Sequence, residues 1–205
     1  MPKAWVQERK RDYYYKRAKE EKYRSRAAYK LLQAVDKYHF IKEGDVVVDL
    51  GAAPGGWIQA ARKNVGGAGF VLGVDLKPLE PFSESNVKTI IGDIIEPETL
   101  DQILSLLPRK ADAVVSDVSP NISGVWEVDH ARQIDLAQHS LEIALEILGS
   151  SGGFFVKVFQ GDMLDDMISG VRKHFEDVRV IKPKASRAKS SEIFILGMDL
   201  KHVKD

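Results

Sequence analysis

The residues of this chain that could do chemistry are a lysine in an apolar run, a glycine turn, and aspartates at recurring intervals. The lysine is Lys157, inside "GGFFVKVFQG" (152–161), where Phe154, Phe155, Val156, Val158 and Phe159 suit a strand covered on both faces. An ammonium among such neighbours is costly unless it is paired or sheds its proton. The turn is "DLGAAPGGW" (49–57), in which glycines let a ligand approach the backbone and the start of a helix. No Gly-Lys-Ser/Thr follows it, and Gly-x-Gly-x-x-Gly is absent, which speaks against a phosphate loop and a dinucleotide fingerprint. Asp75, about two dozen residues beyond the first glycine, can take both hydroxyls of a ribose. Asp93, in "GD", offers an acceptor for an adenine amino group. One aspartate at a strand end is commonly a cap or turn residue; two beside a glycine loop form a nucleoside pocket. No cation accompanies them to neutralise a pyrophosphate, so S-adenosylmethionine fits and NAD fits poorly. Asp117 opens "DVSPNISG" (117–124), with no Pro-Pro-aromatic turn to hold a planar amine. An aspartate there, with Lys157 on the next strand, suits an acceptor hydroxyl that must lose a proton.

The elements that must position these groups alternate. Short apolar runs at 46–50, 70–75, 87–91, 112–116 and 153–159 read as strands, and 57–64, 97–107 and 129–149 have helical spacing. A helix near 163–174, a strand near 177–182 and a strand at 192–198 complete the pattern, and 6–20 and 26–38 read as helices. Such alternation predicts an α/β fold, a parallel sheet with helices on both faces and chemistry at the carboxyl ends of the strands. The chain divides into a basic helical extension over 1–40 and one compact unit over 41–205.

A length of 205 residues, 44% hydrophobic, supports one good core. Cysteine is absent, which excludes disulfides, thiol nucleophiles and cysteine-ligated metals, and the five histidines show no ligand spacing, so no metal is expected. No apolar run is long enough to span a bilayer and the N-terminus is charged throughout, so no membrane association and a cytoplasmic location are expected. Net charge is zero, yet residues 1–30 carry eleven basic against four acidic side chains. Trp5, Tyr13, Tyr14 and Tyr15 interleave with those charges, and a second basic stretch runs from Arg172 to Lys189. Two readings stay open on composition: solvated helix faces, or phosphate-binding charge beside stackable aromatics, as on a nucleic-acid surface.

Seven stretches in order, "YRSRAAYKL" (23–31), "VVDLGAAPGGW" (47–57), "GVDL" (73–76), "GDI" (92–94), "SDVSPNISG" (116–124), "FVKVFQG" (155–161) and "ASRAKSSEIFILG" (185–197), carry a resemblance over nearly the whole chain. The sequence resembles the RrmJ/FtsJ family of RNA ribose 2′-O-methyltransferases. That resemblance implies a Rossmann-like S-adenosylmethionine-dependent methyltransferase fold with a mostly parallel central sheet. It places a catalytic Lys-Asp-Lys-Glu tetrad on Lys30, Asp117, Lys157 and Glu192, and S-adenosylmethionine contacts on Gly55, Trp57, Asp75, Asp93 and Asp117. Lys157, partly desolvated and near Lys30, is then expected to have a lowered pKa and to act as base, with Asp117 and Glu192 orienting it. The implied partner is RNA, a uridine of large-subunit ribosomal RNA; the tRNA anticodon loop, or a non-catalytic ribosome-assembly role, are the alternatives. A monomer is favoured, and a small-molecule substrate is disfavoured by the basic arms.

Overall fold

The computed structural model describes residues 12–201 and places seven strands in one sheet. The elements are α1 (Tyr13–Glu20), α2 (Ala28–Tyr38), β1 (Val46–Leu50), α3 (Gly56–Val65), β2 (Phe70–Asp75), β3 (Val87–Ile91) and α4 (Pro97–Leu106). They continue as β4 (Ala111–Ser116), α5 (Trp126–Ile147), β5 (Leu148–Phe159), α6 (Leu164–His174), β6 (Phe175–Ile181) and β7 (Glu192–Leu200). Strand order is β3-β2-β1-β4-β5-β7-β6, the first five parallel. β7 runs antiparallel to both neighbours, because the segment between β6 and β7 contains no crossover helix to reverse the chain.

Side chains alternate between two cores, as the two-residue period of a strand demands. Val46, Val48, Leu50, Val114, Phe154, Val156 and Val158 pack under α4, α5 and α6. Val47, Val71, Val115, Phe155 and Phe194 pack under α2 and α3, through Leu31, Ala34, Ile58 and Ala61. α2 is thus part of the main core, although it precedes the first strand. α1 is laid over it through a small cluster of Ala18, Tyr29 and Ala185. Asp12 caps α1 by accepting the Tyr15 amide at 3.1 Å, while the expected helical residues 6–11 lie outside the described part.

The largest departures from the reading of the sequence lie where α5 passes into β5. α5 starts three residues before 129 and stops at Ile147, since Leu148 already has extended dihedrals (φ −67°, ψ 143°) and enters β5. β5 then irregularly spans 149–152, where its register against β4 jumps and Ser151 adopts φ 64°. The early half of β5 carries glycines and serines, so its hydrophobic pattern alone does not mark it as strand.

Candidate active site

The carboxyl ends of β1, β2, β3 and β4 enclose a cleft of about 420 Å³, lined by Gly51, Asp75, Asp93, Asp117, Ile94 and Asn121 among others. Its floor depends on Gly51, at φ 77°: a Cβ there would stand 2.8 Å from the Val118 Cα, so no larger residue fits. Asp75 spans the mouth by accepting the Ala53 amide at 2.8 Å and the Lys77 amide at 2.9 Å. Asp93 accepts the Ile95 amide at 3.1 Å. Carboxylates, apolar walls and a glycine that leaves backbone exposed are the donor set of a nucleoside site, without a cation for a pyrophosphate on its lining apart from Lys77. The residues present therefore fit a nucleoside-type methyl donor.

Gly55 and Trp57 do not line this cleft. Gly55 lies under Arg24 and Phe82, so a Cβ would meet the Phe82 ring at 2.7 Å. The Trp57 side chain is 3% exposed, stacks on Phe155 (centroids 5.5 Å apart) and donates its indole N–H to the Ala27 carbonyl at 2.7 Å. It ties the start of α2 to the core.

Beside the cleft, the structure brings Lys30, Asp117, Lys157 and Glu192 into one ionic chain. β4 and β5 are parallel neighbours, so the residue after β4 and a residue near the end of β5 meet at the same edge. β7 starts where β5 ends, with Phe159 opposite Glu192, which delivers the glutamate to that edge. α2 lies across the face and contributes Lys30. Lys30 Nζ stands 2.7 Å from Glu192 Oε2 and 3.6 Å from Asp117 Oδ2; Lys157 Nζ stands 3.3 Å from Asp117 Oδ1. Lys157 also donates to the Asp117 main-chain carbonyl at 2.7 Å and to Ser119 Oγ at 2.9 Å. Three oxygens thus lie within 3.3 Å of Nζ, two of them accepting hydrogen bonds from it.

That shell accounts for a lysine in an apolar strand: Lys157 is only 4% exposed, and its head reaches past the strand end to oxygen partners. The Asp117 carboxylate lies between Lys157 and Lys30. Burial pushes Asp117 up, but the charges of Lys157 and Lys30 more than reverse it and hold its carboxyl below the ordinary range. Burial pulls Lys30 down, and Asp117 and Glu192 overcome it, so Lys30 holds its proton more firmly than a free lysine.

Several participants carried no singular signal in the sequence. Ser119 and Ser186 are serines among serines, yet one meets Lys157 and the other donates to Glu192 Oε1 at 2.8 Å. Gln133 of α5 braces the strand ends, donating to the carbonyls of Lys157 at 3.0 Å and Val118 at 3.2 Å. Asp49, at 0% exposure, completes no side-chain hydrogen bond, and burial drives its carboxyl well above the ordinary range, with Asp117 and Asp75 adding. Among the described residues no group of three or more His, Asp or Glu is placed to hold a metal ion, and no helix is long and apolar enough to cross a membrane.

A second, shallower groove of about 640 Å³ adjoins the tetrad through Ser186 and is lined by Asp12, Tyr14, Arg26, Lys184, Arg187 and Lys189 with neighbouring residues. Arg26 is bound into its wall by Asp12 and the Ala185 carbonyl. The basic stretch from Arg172 to Lys189 divides here. Arg172 and Lys173 end α6 beside Phe175, which pairs with Leu200 at the end of the sheet away from Glu192. The portion 182–189 alone reaches the tetrad edge, because β6 carries the chain from one end of the sheet to the other.

The fold, the donor-type cleft and the tetrad together define a methyltransferase. An FtsJ-like methyltransferase family model matches residues 23–200, and the chain belongs to that family. It is 53% identical to the ribosomal RNA large subunit methyltransferase E of Methanocaldococcus jannaschii, over 95% of this chain and 81% of the relative. It is 48% identical to the protein of the same name from Methanothermobacter thermautotrophicus, over 98% of this chain and 95% of the relative. A crystal structure designated a ribosomal RNA methyltransferase from Plasmodium falciparum superposes with a TM-score of 0.76 at 26% identity, covering 87% of this chain and 98% of that one.

Proposed function

We propose that this protein transfers the methyl group of S-adenosylmethionine to the 2′-hydroxyl of a ribose in RNA, a uridine of large-subunit ribosomal RNA, in the cytoplasm. The observation that carries the reading is Asp117, which lines the donor cleft and at the same time bridges Lys30 and Lys157. The methyl source and the groups that handle an acceptor hydroxyl therefore share one residue. When bound, the donor supplies a methyl on a positively charged sulfur. Asp75 and Asp93 would hold its ribose and adenine, with Gly51 and Ala53 of the turn lining the cleft beside them.

Lys157 would take the proton from the 2′-hydroxyl as that oxygen accepts the methyl group, which the donor would supply with the bonding pair left on its sulfur. Asp117 and Ser119 fix the direction in which Nζ points. Lys30 stays charged, held by Glu192, and its positive charge stabilises the developing negative charge on the ribose oxygen. Holding the nucleophile in line is the remaining contribution, and the rigid ionic chain suits it. The basic groove at Arg26, Lys184, Arg187 and Lys189 would carry the phosphate backbone to the tetrad.

The test is methylation of total RNA with a labelled donor, mapped to one nucleotide. A single 2′-O-methyluridine in large-subunit ribosomal RNA is expected. Label confined to tRNA would move the substrate to the anticodon loop. Donor binding with no methylated RNA of any kind would refute the enzyme.

A further inference from the structure

We propose that Trp126 and the rings beneath it form a stacking ledge for an unpaired RNA base entering beside the tetrad, an inference that rests on the proposed RNA substrate. Trp126 opens α5 and is 44% exposed. Its indole lies nearly parallel to His130 (12°, centroids 5.7 Å apart) and to Phe159 (25°, 6.0 Å). Phe159 closes β5 two residues beyond Lys157 and stacks on the indole there, which places Trp126 beside the tetrad end of the sheet.

The ledge is braced on all sides. His130 is 5% exposed, accepts the Met163 amide at 3.2 Å, and fills the space where Gly161 lacks a side chain, 2.6 Å from a Cβ placed there. Asp129 accepts the Ser123 amide and hydroxyl, both at 2.7 Å, and the Gly124 amide at 3.0 Å, fixing the loop that runs from Ser119 into α5. An exposed tryptophan with this much support under it is a poor solvent residue and a good stacking platform, because every base has a π-face.

The surroundings choose the occupant. Ile122, Val125 and Val128, close to Trp126 in the chain, and Met163, whose amide donates to His130, are exposed. The charges nearest them in the chain are mostly acidic: Glu127 beside Trp126, and Asp162, Asp165 and Asp166 around Met163, with Arg132 one turn further along α5 and facing Asp129. Those carboxylates repel phosphate and tolerate an uncharged ring, so a strand lying here turns its base to the ledge. Its phosphates then fall toward Arg26, Lys184 and Arg187 in the basic groove.

Binding of short oligouridylate and of a large-subunit ribosomal RNA fragment, with turnover on the fragment, separates the outcomes. Trp126→Ala and Trp126→Leu should both weaken RNA binding or raise KM by roughly 5–100-fold, the range of one lost base stack. Trp126→Phe should retain most of it. Donor affinity and the salt dependence of RNA binding should stay as in wild type, since no phosphate contact is removed. Replacing the stacked nucleotide by an abasic one should weaken wild type and leave Trp126→Ala unaffected. Unchanged RNA affinity and KM in Trp126→Ala, with wild type active, would overturn the ledge alone. Trp126→Leu behaving as wild type on free RNA but failing on ribosomal particles would overturn it in favour of a protein-docking surface. Wild type that neither binds nor methylates any RNA would bring down the RNA reading itself, and the ledge with it.

Discussion

The donor cleft and the tetrad sit side by side at one end of the sheet, and they treat their carboxylates in opposite ways. In the cleft, Asp75 and Asp93 are half-buried and accept main-chain amides, Asp75 from Ala53 and Lys77 and Asp93 from Ile95, with their remaining acceptor capacity open to a ligand. In the tetrad, Asp117 and Glu192 are committed to lysines, and the whole chain of charges is assembled before any substrate arrives. A site that binds must keep valence free, whereas a site that performs proton transfer and positioning must be rigid in advance. Asp117 belongs to both, which couples them.

The largest effect that would sharpen the contrast is on rate. Lys157→Met removes the amine and keeps much of the stem's volume, so the methyl transfer rate should fall by roughly 10²–10⁴, with donor affinity close to wild type. Saturating single-turnover assays check it, and a Met variant with wild-type rate would end the assignment of Lys157 as base. Stability gives a second reading. Considered as a lysine in an apolar strand, Lys157 should be improved upon by Met. The ionic chain reverses that expectation: Met leaves buried Asp117 facing Lys30 alone, so the melting temperature should drop.

On the cleft side, the expected loss is in binding. Asp75→Ala and Asp93→Ala should each weaken donor affinity by about 1–3 kcal/mol, with Asp75 the larger because it also ties Ala53 to Lys77. Calorimetry decides this. Turnover at saturating donor should change little, in contrast to Lys157→Met. Unaltered affinity in both variants would remove the nucleoside pocket, whereas equal losses in rate and affinity would erase the distinction between the two regions.

Strand period and strand ends were legible in the sequence, and with them the cleft. Asp75, Asp93 and Asp117 each close or follow a parallel strand, and strand ends of a parallel sheet converge whatever the details of packing. Lys157 stood out because its neighbours are apolar. Lys30 and Glu192 are different: one is a helix-face lysine and the other opens an ordinary-looking strand, 162 residues apart. Only the antiparallel insertion of β7 between β5 and β6 brings them together, and nothing in alternation of hydrophobicity announces that register. Ser119, Ser186 and Gln133 were silent for the same reason, since a small polar side chain acquires its role from what it faces. Trp57 reads as a ligand neighbour in its motif, yet its indole packs into the core.

The smallest effect lies where the two regions touch, at Asp49. Its carboxyl is fully buried at the end of β1 with no hydrogen-bond partner, and burial, with Asp117 and Asp75 as charged neighbours, pushes its pKa up. In the unfolded chain the same group ionises in the ordinary carboxylate range. A folded pKa above the unfolded one means the contribution to stability is full below the unfolded value and is lost as pH rises toward the folded one. Wild type should therefore lose up to about 1.4 kcal/mol of stability per pH unit across that window through this residue. Asp49→Asn has no proton to lose, so its stability relative to wild type should climb with pH while the tetrad, common to both, cancels in the difference. Denaturant titrations between about pH 5 and 8 measure it. Parallel profiles for the two proteins would show that Asp49 folds as a charged group, and that the cleft and the tetrad share a third ionised carboxylate instead of being separated by a neutral one.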